Sequence, residues 1–390
     1  MIAADHPDRR GSRLLAITAG GSIQHLRRGE FSSALAPGDL VIANDAATLP
    51  ASLKGVHCPT GEAIEVRLAE WESISDPTRF VAIAFGGGDY RTRTEERPPP
   101  PALSADDCLA LGPLAAVVES MLDHPRLLRL RFLGDAHSVL AGIAAHGRPV
   151  QYAHVPAPIA LWDVWTPIAA NPIAFEPPSG GFAIDWCTLA AWRRRAIRFA
   201  TLTHAAGLSS TGDPVLDRRL PFDEPYRIPA TTAAMIADAK SNGARIVAVG
   251  TTVVRAIESA ANSDGIVSAG DGVARGRIHG ETRLRVVDAI LTGVHAPGES
   301  HFELLRTFAD DARLEAIAAA LAQGHYRTHE FGDFVLIERQ PKSSVSETIT
   351  STQTGVRRPV FATGEGINPA LIEISTAKHC RFRLARGQCS

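Results

Sequence analysis

Asp288 and His295 fall in one run, RLRVVDAILTGVHAPGESHFELLRTFA (283–309), that reads as a buried strand, a tight loop and a helix. The strand carries Asp288 near its middle, and the loop runs from His295 to Glu299. Ser300 and Glu303 have the S-x-x-E spacing of a capping box, and Phe302, Leu305 and Phe308 give the helix an inner side. An imidazole is the side chain best suited to proton transfer near neutral pH. An acid and a base near a strand's end and a helix's start sit where α/β proteins bind ligands. The plain alternative is that Asp288 satisfies loop amides and His295 is an ordinary loop residue. His204, in THAAGLSS (203–210), is a second imidazole placed after an expected strand.

Two glycine-bearing turns are the natural receivers of a ligand. In IVAVGTTVVRAIESAA (246–261) an apolar run, Ile246 to Val249, ends at Gly250. Val253, Val254, Ile257, Ala260 and Ala261 then form one helix face, with Arg255, Glu258 and Ser259 on the other. Thr251 or Thr252 is the expected helix cap. In EPPSGGFAI (176–184), Ser179, Gly180 and Gly181 let backbone amides approach a ligand closely. That loop lacks the lysine spacing of a P-loop, so a nucleoside triphosphate is poorly supported.

Around these turns the chain alternates between two textures. Residues 1–60 read as α/β material, with SRLLAIT as a strand and GDLVIANDAATLPASL as a strand running into a polar turn at Asn44 and Asp45, and residues 150–340 return to alternating strands and helices. Residues 61–149 hold short apolar runs broken by Gly, Pro and Asp, and read as a small sheet or barrel. Residues 341–390 begin with a Ser/Thr-rich segment of little apolar content and read as a disordered tail.

The bulk properties exclude several classes. The chain has 390 residues, 45% of them hydrophobic, and a net charge of −2, so nothing global draws it to nucleic acid. Any RNA contact needs a local patch such as Arg193, Arg194, Arg195 and Arg198, or Arg126, Arg129 and Arg131, for which a solvated face is the plainer reading. The five cysteines are scattered, odd in number and without a CxxC pair, which argues against a disulfide framework or a structural zinc site; no metal is expected. No leader-like or membrane-spanning apolar stretch is evident, so a cytoplasmic protein without membrane association is expected.

These blocks together resemble the S-adenosylmethionine:tRNA ribosyltransferase-isomerase family of queuosine biosynthesis. VAVGTTVVRAIESAA is similar to that family's VAVGTTSVRTLESAA, VVDAILTGVHAPGES to VVDxLITNFHLPxST, and HEFGDFVLI to its closing FGDAMLI. SRLLAI and PGDLVIANDAATLPASLKG are similar to its opening SRLLV and PGDxLVxNDTRVLPARLxG, and the order is kept over residues 12–338. The resemblance implies a discontinuous mixed α/β catalytic domain, residues 1–60 and 150–340, with an inserted small β-barrel-like domain at residues 61–149. It also implies a tRNA-modifying reaction. The ribosyl unit of S-adenosylmethionine passes to the aminomethyl group of a 7-deazaguanine in the tRNA anticodon loop and rearranges to an epoxycyclopentanediol, while adenine and methionine leave. The sulfonium acidifies its neighbouring carbon, so a base can start the rearrangement.

On that resemblance His204, Glu224 and His295 are proton-transfer candidates, with Asp288 and Asp333 as orienting groups. Asn44, Asp45, Ser179, Gly181, Gly250, Thr251, Thr252, Arg255, Glu258, Thr292 and Ser300 are the further substrate-binding candidates. A monomer is expected. Against that family's pattern the chain resembles a divergent member. Two family arginines are Ala47 and Ser52, the histidine of PTAGLHF is Ala183, and the H-x-M-H-x-E segment reads RLPFDE, with Arg219 and Phe222 for the histidines and Glu224 kept. Two further readings follow: a paralogue acting on a small-molecule acceptor, and a non-catalytic S-adenosylmethionine-binding protein.

Overall fold

The computed structural model describes residues 1–9, 11–295 and 300–340, so the expected tail at 341–390 lies outside the described residues. Its main feature is a nine-stranded mixed sheet. Four central strands run parallel in the order Arg198–His204, Leu40–Asn44, Ile246–Val249 and Ala289–Gly293. Arg13–Ile17 and Phe334–Glu338 form a further parallel pair, which joins Ala289–Gly293 in antiparallel fashion. Glu224–Ile228, Gly270–Ala274 and Ile23–Arg27 complete the sheet as antiparallel strands at its two edges.

The middle strands are buried along their whole length, which is why they read as continuous apolar runs. Alternate residues serve opposite faces. Leu40, Ile42 and Ala248 pack with Val253 and Ile257 of the helix Thr251–Ala260. Val41, Ala43, Val247 and Val249 pack with Phe182 and with Trp192 of the helix Trp186–Arg194. The sheet is thus covered on both sides, and the C-terminal ends of its parallel strands share one edge.

A closed six-stranded antiparallel barrel interrupts this domain. Its strands are Ser52–His57, Ala63–Trp71, Arg79–Gly86, Cys108–Leu111, Leu114–Met121 and Leu127–Phe132. The barrel's first strand therefore lies within residues expected to belong to the α/β part. Leu53 is buried among the barrel's apolar residues, and Ser52 donates to the buried Glu65. Glu65 also receives Arg67 and Arg97, a paired arrangement that makes these buried charges tolerable.

Candidate active site

The parallel strands Ile246–Val249 and Ala289–Gly293 end at a cleft lined by the loops that follow them. Gly250 forms the turn, with φ of +94°, a region that L side chains rarely occupy. Its amide donates to Leu291 O at 2.7 Å, tying the turn to the neighbouring strand. The helix begins at Thr251, and no side chain caps it. Thr251 and Thr252 are therefore first-turn residues rather than caps, and a helix's first-turn amides lack partners within the helix.

The loop Ser179–Ala183 packs against this turn. A Cβ on Gly180 would come within 3.0 Å of the Gly250 nitrogen, so the two backbones meet too closely for a side chain. Ser179 and Gly180 line the cleft, whereas Gly181 backs onto Thr166. Thr292 and His295 line another wall, with Thr292 Oγ1 3.3 Å from His295 Nε2. His295 also meets the edge of the His301 ring at 4.6 Å between centroids. Ser300 begins a helix, but its side chain lies outside the described residues, so its expected capping role does as well.

Arg255 and Glu224 reach the cleft as a buried ion pair rather than as free groups. Arg255 Nη2 also donates to the carbonyls of Phe222, Ala274 and Gly276, and Gly207 N donates to Glu224 Oε1 at 2.6 Å. Burial lowers the Arg255 guanidinium to about 10, which leaves it charged at neutral pH. His204 stands behind this pair and does not line the cleft. Its Nε2 lies 3.4 Å from Glu224 Oε2, outside hydrogen-bond geometry. Burial, then the charge of Arg255, drives its pKa well below the ordinary value, so the ring is neutral. That arrangement suits a packing residue better than a proton carrier.

Glu176 is the residue that sequence reasoning missed. It lines the cleft, and burial raises its carboxyl to about 7 despite hydrogen bonds from Tyr152 and Ser209. Tyr152 Oη donates to Glu176 Oε1 and lies 3.1 Å from Ser210 O. The only sequence signal was its place next to the small-residue loop. Nothing in that segment shows that Tyr152 and Ser209 come to meet it.

Several candidates are committed to the scaffold. Asp288 precedes its strand and lies at the end away from the cleft, where it accepts from Ile246 N at 3.0 Å and pairs with Arg339 at 2.9 Å. Glu258 accepts from the backbone amides of Arg285, Val286 and Val287, pinning that loop to its helix. Asp333 accepts from Arg13 N, Arg327 N and the Arg13 guanidinium. Asn44 joins three strand ends through His204 N, His204 O and Ala46 N. Asp45 accepts from Thr203 Oγ1 at 2.6 Å. None of these five lines the cleft. Carboxylates and amides at loop ends draw unpaired backbone groups, and here that demand took them.

The departures from the family pattern are also absorbed. Ala47 and Ala183 are buried, and Arg219 pairs with Asp123 at 2.7 Å. Of the basic clusters, Arg198 pairs with Asp238, Arg129 with Glu72 and Arg131 with Glu119.

A family model described as queuosine biosynthesis protein matches residues 1–337. An S-adenosylmethionine:tRNA ribosyltransferase-isomerase of Sorangium cellulosum is 33% identical over 86% of this chain and 95% of its own. Enzymes of the same name from Thermus thermophilus and Moorella thermoacetica are 31% and 28% identical, each over 84% of this chain and over 92% and 93% of their own. A crystal structure of S-adenosylmethionine tRNA ribosyltransferase from Thermotoga maritima covers 86% of this chain and 96% of its own, at 21% identity and a TM-score of 0.46.

Proposed function

From the premise that the chain belongs to the queuosine biosynthesis protein family, we propose that it is a transferase-isomerase acting on tRNA. It moves the ribosyl unit of S-adenosylmethionine to 7-aminomethyl-7-deazaguanine, forming epoxyqueuosine and releasing adenine and methionine. One observation carries the placement of the donor. Two of the family-like stretches, around Gly250 and around Thr292 and His295, converge on one cleft with the loop at Ser179.

The chemistry of the donor fits that lining. The helix Thr251–Ala260 offers the amides and positive end of its first turn to the methionine carboxylate. Gly250 and Gly180 leave their backbones bare for close approach. Glu176, His295 and His301 are the proton-transfer groups of the lining that remain once Glu224 is engaged by Arg255 and His204 is buried. A carboxyl near 7 is part ionised at neutral pH and can accept the proton made acidic by the sulfonium. The C–H bond breaks, its electron pair stays on the carbon beside sulfur, and the proton passes to the carboxylate.

The test is incubation of the protein with S-adenosylmethionine and tRNA bearing the aminomethyl precursor base. Adenine release is followed, and the nucleosides are read by mass spectrometry. Epoxyqueuosine in the digested tRNA with equimolar adenine is expected. Adenine release that does not depend on the tRNA, or no release at all, overturns the reading.

A further inference from the structure

Outside the cleft lining, His154, His329 and Glu330 place one ligand atom each within 4.8 Å of one another. We propose that these three side chains form a binding site for a divalent transition-metal ion of the zinc type. It would clamp the segment after the barrel to the turn before the last strand.

The spacing is the first support. His154 Nε2 and Glu330 Oε2 are 3.3 Å apart. Two ligands each about 2.1 Å from a tetrahedral zinc ion stand about 3.4 Å apart. The second support is chemical: a buried imidazole nitrogen and a carboxylate oxygen face each other from two separate segments, and both are donor types that a zinc ion takes. His329 lies against the same group, its ring 4.4 Å from that of His154 and inclined by 21°. It sits at φ +69°, a conformation uncommon outside glycine. Movement of this exposed side chain towards the pair would complete a three-ligand set of the kind that leaves a fourth position open.

The backbone around the ligands is held firmly. Val155 and Phe331, the chain neighbours of His154 and Glu330, are buried in one small apolar cluster with Ala4, Ile159 and Val164. Both ligand-bearing segments are therefore anchored before any ion arrives. A neighbouring cation, Arg9, donates from Nη2 to the main-chain carbonyl of Glu330 at 3.2 Å, and its guanidinium stacks on Phe182 and Phe331. The expectation of no metal rested on the cysteines, and this set uses none. The site also adjoins the cleft. Tyr152 stacks on His154, with 6.2 Å between centroids, and its hydroxyl is on Glu176.

The full chain, stripped with a chelator, should bind Co²⁺ and Zn²⁺ at one equivalent. The readouts are the d–d absorption of Co²⁺ and calorimetry of Zn²⁺. Changing a group that only orients a metal ligand typically costs about 10–100-fold in affinity, so loss of a ligand itself should cost at least about 100-fold. His154→Ala, His329→Ala and Glu330→Gln should each do so, and Zn²⁺ should raise the melting temperature of the wild type only. His329 is exposed, so its variant keeps the test open where His154→Ala fails to fold. Cys58→Ser with Cys108→Ser should bind as the wild type does. Equal affinity in folded His329→Ala and Glu330→Gln variants, or binding lost only in the cysteine variant, overturns the proposal.

Discussion

Glu176→Gln tests the electrostatics of the cleft without reference to any substrate. In the folded chain burial lifts this carboxyl from an ordinary 4.5 to about 7. That difference corresponds to about 3 kcal/mol as an order of magnitude. Because the folded pKa is the higher one, the stabilising term belongs to the protonated form. It is fully present below about 4.5, declines as pH rises towards about 7, and is gone above that. Glutamine imitates the protonated group and can still accept from Tyr152, so the variant should lack this decline. The measurement is urea unfolding of both proteins at about pH 5 and about pH 8. The variant's stability relative to the wild type should rise between the two by up to about 3 kcal/mol. The many other groups that titrate in this range do so in both proteins and cancel in the difference. A difference that stays flat across the range would show that Glu176 ionises as an ordinary surface carboxyl, and the proposed proton acceptor would lose its physical basis. In the transfer assay the same variant should turn over at least about 10²-fold more slowly.

Three further outcomes follow from the cleft. His295→Ala should lower turnover by at least about 10²-fold while circular dichroism and melting temperature stay near wild type; near-normal turnover would remove His295 from the proton transfer. Gly250→Val places a β-branched side chain at a positive φ and over the donor's approach, so calorimetry should find S-adenosylmethionine binding abolished in protein that retains its helical signal; unchanged affinity would move the donor elsewhere. Glu224→Gln strands the Arg255 charge in a buried position and should cost about 3–5 kcal/mol in urea unfolding, and the double variant with Arg255→Met should recover part of that loss; a loss below about 1 kcal/mol would mean that the pair is well solvated.

The elements that build this cleft were legible because each is local. The run Ile246–Val249, the glycine and the apolar spacing from Val253 to Ile257 define a strand, a turn and a helix within a few turns of chain. The barrel was legible as a change of texture, though not where it begins. The strand Ser52–His57 follows directly on a strand-and-turn segment of the α/β part, and only its pairing with Ala63–Trp71 and Cys108–Leu111 assigns it.

What local pattern cannot convey is which groups are already engaged. Asp288, Glu258 and Asp333 have the residue types and positions of chemistry, yet each accepts hydrogen bonds from backbone amides, and Asp288 and Asp333 hold arginines besides. Arg255 and Glu224 are distant in sequence and neutralise each other in space. Glu176 shows the converse. It sits among prolines with no partner nearby in sequence, and the fold brings Tyr152 and Ser209 to it. Buried there, its carboxyl keeps its proton until near neutrality. Of Asp288, Glu258, Asp333 and Glu176 only Glu176 lines the cleft, and both that position and its partners are set by tertiary packing rather than by spacing along the chain.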